Sequence, residues 1–465
     1  MSPGGKSAFS LQSGEVAGQP FGADFHAEPP ADRWIPRFPR TAANFRGNEE
    51  WGTGMKEKTL VITGMGAVTP VGIGVTAYWN ALIEGRCGVG PITRFDASDL
   101  PVQIAAELKD FNPADHMPKT LARTMDPFMQ FAYAAAQEAL ESSGFPIEAE
   151  SDRIGIVMGT AMAGVTTVAH TQEAFDAGRR VGPRFVPMAI GNIAAAQIAI
   201  ARGIHGPSMT LNTACSAGGD AMMVAAMLLN AGEADAVLAV GGESILCPIV
   251  VSGLSQAKAL SRCNDDPLHA CRPFDLNRDG FVIGEGGGAL LIETEEHALA
   301  RGATIHAVLA GWANTSDAHH VTAPCPDGAG AAACMKRALQ RAGMQPSDIG
   351  YINAHGTSTP LGDKAETLAV KAVFGGRERA PPVSATKSAT GHLMGAGGLT
   401  EAIACIKAIQ EGILPPTLHL DTPDPDCDLD YVPNTARKVE ITAAMSNSLG
   451  FGGQNSSIIL SRYEK

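Results

Sequence analysis

The chain has 465 residues, 45% apolar and 5% aromatic, which is ample for a large core and sets one large or two medium domains as the expectation. A formal net charge of −13 argues against a general nucleic-acid binder, though not against a local basic patch. The nine cysteines are odd in number and form no Cys-x-x-Cys pair, so neither a disulfide framework nor a zinc site is indicated and a reduced compartment fits.

Residues 1–57 hold Pro29-Pro30, scattered glycines and charges, and no sustained periodicity. They read as a disordered or loosely attached extension. The segment lacks the apolar stretch of a secretory signal, and Glu15, Asp24, Glu28 and Asp32 do not suit a transit peptide. No uninterrupted apolar run reaches about 18 residues, so no membrane span is expected and a cytoplasmic location follows.

From Thr59 the texture changes. Residues 59–63 read as a strand, followed by Gly64-Met-Gly66. This imitates a dinucleotide fingerprint, but Thr69 stands at the third glycine position and Pro70 follows, so a Rossmann reading is rejected. Helices are expected over 76–84 and 126–142, the second stopping at Gly144, and a strand over 153–158. Later strands are expected over 236–240, 288–293, 305–310, 349–353 and 456–460. Helices are expected over 329–342, 363–373 and 399–411. Such alternation argues for α/β layering around a buried sheet.

The stretch from Met209 to Gly219 stands out. A short apolar run precedes Cys215, and residues 216–229 form an Ala-, Met- and Leu-rich helix, apolar nearly all round. Cys215 would sit at a helix N-terminus, where free N–H groups and the dipole lower a thiol's pKa. The stretch is equally compatible with a small apolar residue filling a tight turn. A strand, a Thr/Ser/Gly-rich turn and an apolar helix recur around Lys387 and His392, hinting at two similar halves that meet near residue 303.

Two segments imitate metal sites. Asp275 to Gly280 opens like a calcium loop, but Glu285 falls one position short of the required bidentate ligand, so a structural turn is expected. His319-His320 has no ligand spacing, and a loop or pocket role is expected. By contrast, Asn353-Ala-His355-Gly-Thr357-Ser-Thr359-Pro360 directly follows a strand, as does the Lys387–His392 segment. A cysteine plus two histidines supplies the nucleophile and neutral donors that acyl transfer needs.

Four motifs then occur in order: Thr213-Ala-Cys215-Ser-Ala, Ala354-His355-Gly-Thr-Ser-Thr-Pro, Thr386-Lys387-Ser-Ala-Thr-Gly-His392 and Gly450-Phe451-Gly-Gly453. Over about 58–465 the chain resembles the β-ketoacyl-acyl-carrier-protein synthases, above all the type II elongating enzymes of fatty-acid synthesis. The resemblance implies a thiolase-like fold: two duplicated halves, here 58–303 with the nucleophile and 304–465 with the histidines, in a five-layer α-β-α-β-α sandwich, as a homodimer. It implies a 3-oxoacyl-[acyl-carrier-protein] synthase, an acyltransferase that condenses an acyl-enzyme with malonyl carrier protein and releases carbon dioxide.

By the same resemblance Cys215 carries the acyl chain, His355 and His392 assist decarboxylation, and Lys387 orients groups and tunes charge. The N–H groups of Cys215 and Phe451 form the oxyanion hole, with Phe451 also a gate. Asp363 and Glu401 are supporting acids. Thr357 and Thr359 hydrogen-bond the pantetheine arm, and Met162 sets the depth of the acyl pocket, where a flexible side chain admits medium or long chains. No metal or bound cofactor is expected, because 4′-phosphopantetheine arrives on the carrier protein. Lys119, Arg123, Arg179, Arg180, Arg184 and Arg262 are candidates for a basic patch facing that acidic partner, although any one such residue is more often a solvated surface charge. A type II polyketide ketosynthase shares all four motifs. A non-catalytic chain-length-factor-like partner typically lacks the cysteine retained here, and a thiolase would pair a cysteine with a histidine in its second half.

Overall fold

The computed structural model describes residues 57–464, so the extension expected over 1–57 lies outside the described residues except for Glu57. An 11-stranded sheet forms the frame. Along its path we label β1 Leu60–Thr69, β2 Ile154–Gly159, β3 Ser208–Leu211, β4 Ala236–Glu243 and β5 Gly286–Thr294. The path continues with β6 Ala307–Ser316, β7 Tyr351–Asn353, β8 Val383–Ser384, β9 Ala443–Gly450 and β10 Gln454–Ser461, and the eleventh strand, Gly72–Ile73, pairs antiparallel with β1 off the path.

The strand order is β8-β7-β9-β10-β6-β1-β5-β4-β2-β3. β2 runs parallel to β3 and β4, whereas β5 is antiparallel to β4 and β1. β7 runs parallel to β8 and β9, whereas β10 is antiparallel to β9 and β6. The second five strands therefore repeat the order and polarity of the first five. Only two residue pairs, Val61↔Val308 and Ile62↔Ala307, join the halves through β1 and β6. The weak echo in the sequence is thus an internal repeat in topology.

Six helices matter for the layering: α1 Pro127–Ser143, α2 Asn192–Arg202, α3 Ala217–Ala231, α4 Ala329–Ala342, α5 Pro360–Phe374 and α6 Gly397–Glu411. α1 covers β1, β4 and β5, with α2 beside it, while α4 covers β6 and β10 and carries α5. Between the sheet halves, α3 and α6 pack on each other and on strands of both halves. The result is a thiolase-like α-β-α-β-α sandwich. The central pair must be apolar on most sides, and Leu399, Ile403 and Ile406 are fully buried in α6. Each such side chain contributes about 1.5–3 kcal/mol relative to exposure.

Residues 214–231 are apolar and long enough to cross a membrane, but this segment is the largely buried central helix with its preceding turn. Its first turn meets α6 through glycine. A Cβ on Gly218 would lie 2.9 Å from the Gly395 carbonyl oxygen, and one on Gly398 would lie 2.7 Å from the Gly219 nitrogen. Larger residues would push apart the two helix N-termini that carry the site.

Gly64 and Gly66 are inside β1, not in a nucleotide loop. A Cβ there would lie 2.1 Å and 1.9 Å from the carbonyl oxygens of Ala139 and Ala135, so these glycines let α1 lie close on the sheet. Asp126 caps α1 by accepting from Phe128 N–H at 3.2 Å, and Gly144 ends it in the left-handed conformation.

Candidate active site

Cys215 lies in a one-turn 3-10 segment, Ala214–Ser216, between β3 and α3. The turn is tight: Ala214 has φ +52°, a sparsely populated region for a residue with a Cβ. Asp220, in the first turn of α3, braces it. Its carboxylate accepts from Thr213 Oγ1 at 2.6 Å and Ser216 Oγ at 2.8 Å, on either side of the cysteine. It also accepts from Asn314 Nδ2 of β6 at 2.8 Å, which ties the turn to the second half.

His392 Nε2 is 3.0 Å from Cys215 Sγ. The opposite nitrogen, Nδ1, accepts the Met394 N–H at 3.3 Å. That bond assigns the ring proton to Nε2, the atom facing the sulfur. His355 meets His392 edge-on, with ring centroids 5.3 Å apart. Its loop is held by Glu366, which accepts from the N–H groups of His355 at 2.8 Å and Gly356 at 2.9 Å.

Burial dominates the electrostatics. It pushes both imidazoles well below their ordinary pKa, and the nearby Lys387 charge acts in the same direction, so both rings are neutral near pH 7. Burial also pushes the Cys215 thiol up to about 11, against the opposing pull of Lys387 and of the Phe451 and Cys215 backbone N–H groups. The net direction reverses the lowering expected from a helix N-terminus. The N–H groups are in place, but desolvation of the thiolate is larger than their combined effect.

Lys387 is buried and paired with Glu401. It acts on the cysteine and histidines through space. Asp363 is one step removed: it accepts from Phe274 N–H at 2.9 Å and Ser358 N–H at 3.2 Å and lies 3.5 Å from Arg278. Arg278 also donates to the Thr359 carbonyl at 3.1 Å.

Cys215, His355 and His392 open into a cavity of about 190 Å³, also lined by Met162, Thr357, Thr359 and Phe451. Thr359 has a second task, since its hydroxyl caps α5 by accepting Gly362 N–H at 3.2 Å. The Cys215 sulfur and one ring nitrogen from each of His355 and His392 lie within 4.8 Å of one another.

Residues 57–298 match the family Beta-ketoacyl synthase, N-terminal domain, and residues 306–421 match Beta-ketoacyl synthase, C-terminal domain. The chain belongs to the β-ketoacyl synthase family. It is 45% identical over 413 residues to the 3-oxoacyl-[acyl-carrier-protein] synthase 2 of Synechocystis sp., covering 88% of this chain and 99% of the relative. The synthase 2 of Staphylococcus aureus strain COL is 46% identical over 412 residues, with the same two coverages. Among solved structures, a β-ketoacyl synthase from Burkholderia phymatum superposes with a TM-score of 0.81 at 34% identity, covering 88% of this chain and 100% of that one. A type II polyketide ketosynthase, solved bound to the hexaketide and in complex with its acyl-carrier protein, superposes with a TM-score of 0.80 at 31% identity, with the same coverages.

Around this synthase's central group, the other expected residues separate by location. Met162 and Phe451 line the cavity and are partly exposed, at 42% and 37%. Lys119, Arg123, Arg179, Arg180, Arg184 and Arg262 are all exposed and none lines the cavity. His319 and His320 lie in an exposed loop, where His320 Nδ1 accepts the N–H groups of Thr322 and Ala323, each at 3.1 Å. Asp275 is structural, accepting from the N–H groups of Asn277, Asp421 and Thr422. The sequence reading did not single out Asp220, Glu243 or Glu366. For Asp220 and Glu243 the one signal is a carboxylate within an otherwise apolar or small-residue stretch; Glu366, beside Asp363 and Lys364, carries none.

Proposed function

We propose that this protein catalyses the decarboxylative condensation of fatty-acid elongation, joining an acyl group held on Cys215 to malonyl carrier protein. The observation that carries it is Cys215 Sγ 3.0 Å from His392 Nε2, with Cys215, His355, His392 and Phe451 around one cavity.

In the first half-reaction, Cys215 sulfur attacks the thioester carbonyl of acyl carrier protein. The Cys215 and Phe451 backbone N–H groups stabilise the oxyanion, and the pantetheine thiol leaves carrying the cysteine's proton. In the second, the malonyl carboxylate departs as carbon dioxide, and its bonding electrons become the enolate. Neutral His355 and His392 donate N–H to the enolate oxygen as its charge develops. The carbanion attacks the Cys215 thioester, and the thiolate leaves and is reprotonated. The product is a 3-oxoacyl thioester on the carrier. 4′-Phosphopantetheine is read as arriving with the carrier, not as a resident cofactor.

The relatives named 3-oxoacyl-[acyl-carrier-protein] synthase 2, at 45% and 46% identity, favour the fatty-acid role over the polyketide role suggested by structures at 31%. The retained Cys215 argues against a non-catalytic partner. A homodimer is supported by the edge of β3, which pairs with no further strand among the described residues, and by exposed apolar side chains between residues 165 and 211, including Phe175, Val186, Ile200 and Met209. Monomers rarely leave such surface bare. We place the six exposed basic residues on the carrier-protein surface and the enzyme in the cytoplasm. The deciding assay incubates purified protein with malonyl carrier protein and acyl primers of several lengths and reads products by mass. Primers extended by two carbons as 3-oxoacyl products are expected; a complete absence of extension overturns the reading.

A further inference from the structure

Glu243 ends β4 and is fully buried. Its Oε1 accepts from Met162 N–H at 3.1 Å and Thr160 Oγ1 at 3.2 Å. Its Oε2 accepts from Ala161 N–H at 2.6 Å and Gly395 N–H at 3.1 Å. Two oxygens thus serve four donors from two separate turns.

The first turn presents Met162 to the cavity. Its remaining N–H groups are also satisfied: Thr160 N–H donates to Leu211 O at 3.1 Å, Ala163 N–H to Thr160 Oγ1 at 3.1 Å and Gly164 N–H to Ala189 O at 3.2 Å. Ala163 is held at φ +49°. Such a conformation persists only where the surroundings over-determine it. The second turn is Met394–Ala396, whose first N–H fixes the His392 tautomer. The turns are in direct contact, since a Cβ on Gly395 would lie 2.6 Å from Thr160 Cα.

We infer that Glu243 is a positioning residue for the condensation, joining the turn that presents Met162 to the acyl chain with the turn that orients His392. Chain-length selection and imidazole placement then depend on one carboxylate. The inference rests on the condensing role proposed above. Burial pushes this carboxyl up to about 7, against the four hydrogen bonds, so an acid is kept here at an energetic cost. An amide cannot replace it. Glutamine would turn its NH₂ toward two of the donors, leaving them unsatisfied.

The test compares wild type, Glu243→Gln and Thr160→Val on a primer series, and repeats each variant in a Cys215→Gln background for malonyl carrier protein decarboxylation. Glu243→Gln should change the kcat/KM ratio between the longest and shortest accepted primers by at least about tenfold, and slow decarboxylation by a similar factor. Thr160→Val removes one of the turn's bonds to Glu243 and the acceptor of the Ala163 N–H, loosening the Met162 turn, but keeps the carboxylate on Gly395, so it should move the primer ratio while decarboxylation stays within about twofold. A Glu243→Gln enzyme that lowers every primer by one common factor, with decarboxylation unchanged, overturns the proposal. If that variant does not fold, Thr160→Val decides, and a wild-type primer ratio overturns it. Wild type failing to extend any primer defeats the condensing role itself, a separate outcome.

Discussion

Lys387 and Glu401 form an ion pair with side chains 2% and 4% exposed, within the electrostatic reach of Cys215, His355 and His392. Neither residue lines the cavity. The pair places a positive charge behind the site and a counter-charge behind that.

Breaking it from one side strands a buried charge. Glu401→Gln should cost roughly 3–5 kcal/mol of stability, whereas the double change Lys387→Met with Glu401→Gln should cost clearly less than the sum of the singles. Thermal melting of the four proteins checks this. Additive losses would mean the two charges do not compensate each other.

Lys387 also bears on proton placement. Its charge is the second cause holding both histidines low, after burial. Lys387→Met should therefore raise both imidazole pKa values, and the acid-side fall in decarboxylation should move to higher pH than in the enzyme with lysine. A pH series in the Cys215→Gln background reads this directly, and an unmoved or lower limb contradicts it.

The nucleophile gives the sharpest contrast between local and tertiary reasoning. Cys215 was legible in the sequence as a thiol before a buried helix, and His355 and His392 as loop histidines after strands. The direction of the thiol's pKa was not, because desolvation comes from residues hundreds of positions away. Glu243 was illegible for the same reason: it acts through N–H groups and a hydroxyl that only folding brings near, and the tie from Asp220 to Asn314 was hidden in the same way. Strand β9, with polar Ser446, Asn447 and Ser448 buried, carries no alternating pattern. Helix α2 escaped notice on a weakly patterned surface stretch. Strands β1, β2, β4 and β5 and helices α3 and α6 were readable because apolar runs leave little choice.

The thiol argument has a direct measurement. With a pKa near 11, Cys215 in the free enzyme is overwhelmingly protonated at neutral pH. Iodoacetamide alkylation should accelerate by close to tenfold per pH unit from 7 to about 10, where the thiolate fraction limits the rate. A rate levelling off below about 8.5 would show that the N–H groups and Lys387 outweigh burial.

Cys215→Ser should abolish condensation, because a neutral hydroxyl at this site is a poor nucleophile with no base acting on it: His392 Nε2 carries a proton. Cys215→Gln should leave malonyl decarboxylation running, because that step uses the histidines and not the sulfur. Full condensing activity in Cys215→Ala would remove the covalent intermediate from the mechanism.

Met162 projects into the cavity from a turn in which every N–H from Thr160 to Gly164 is bonded, so its backbone cannot swing aside to admit a longer chain. Only the side chain can yield. Methionine can do so by rotation about three bonds, which makes the depth limit soft. Replacing it with glycine removes that limit and should lengthen the longest primer accepted while leaving short-primer turnover within about threefold, since the oxyanion donors and histidines stay in place. The cutoff is read from product masses across the primer series. An identical cutoff in wild type and Met162→Gly would show that some other residue closes the pocket.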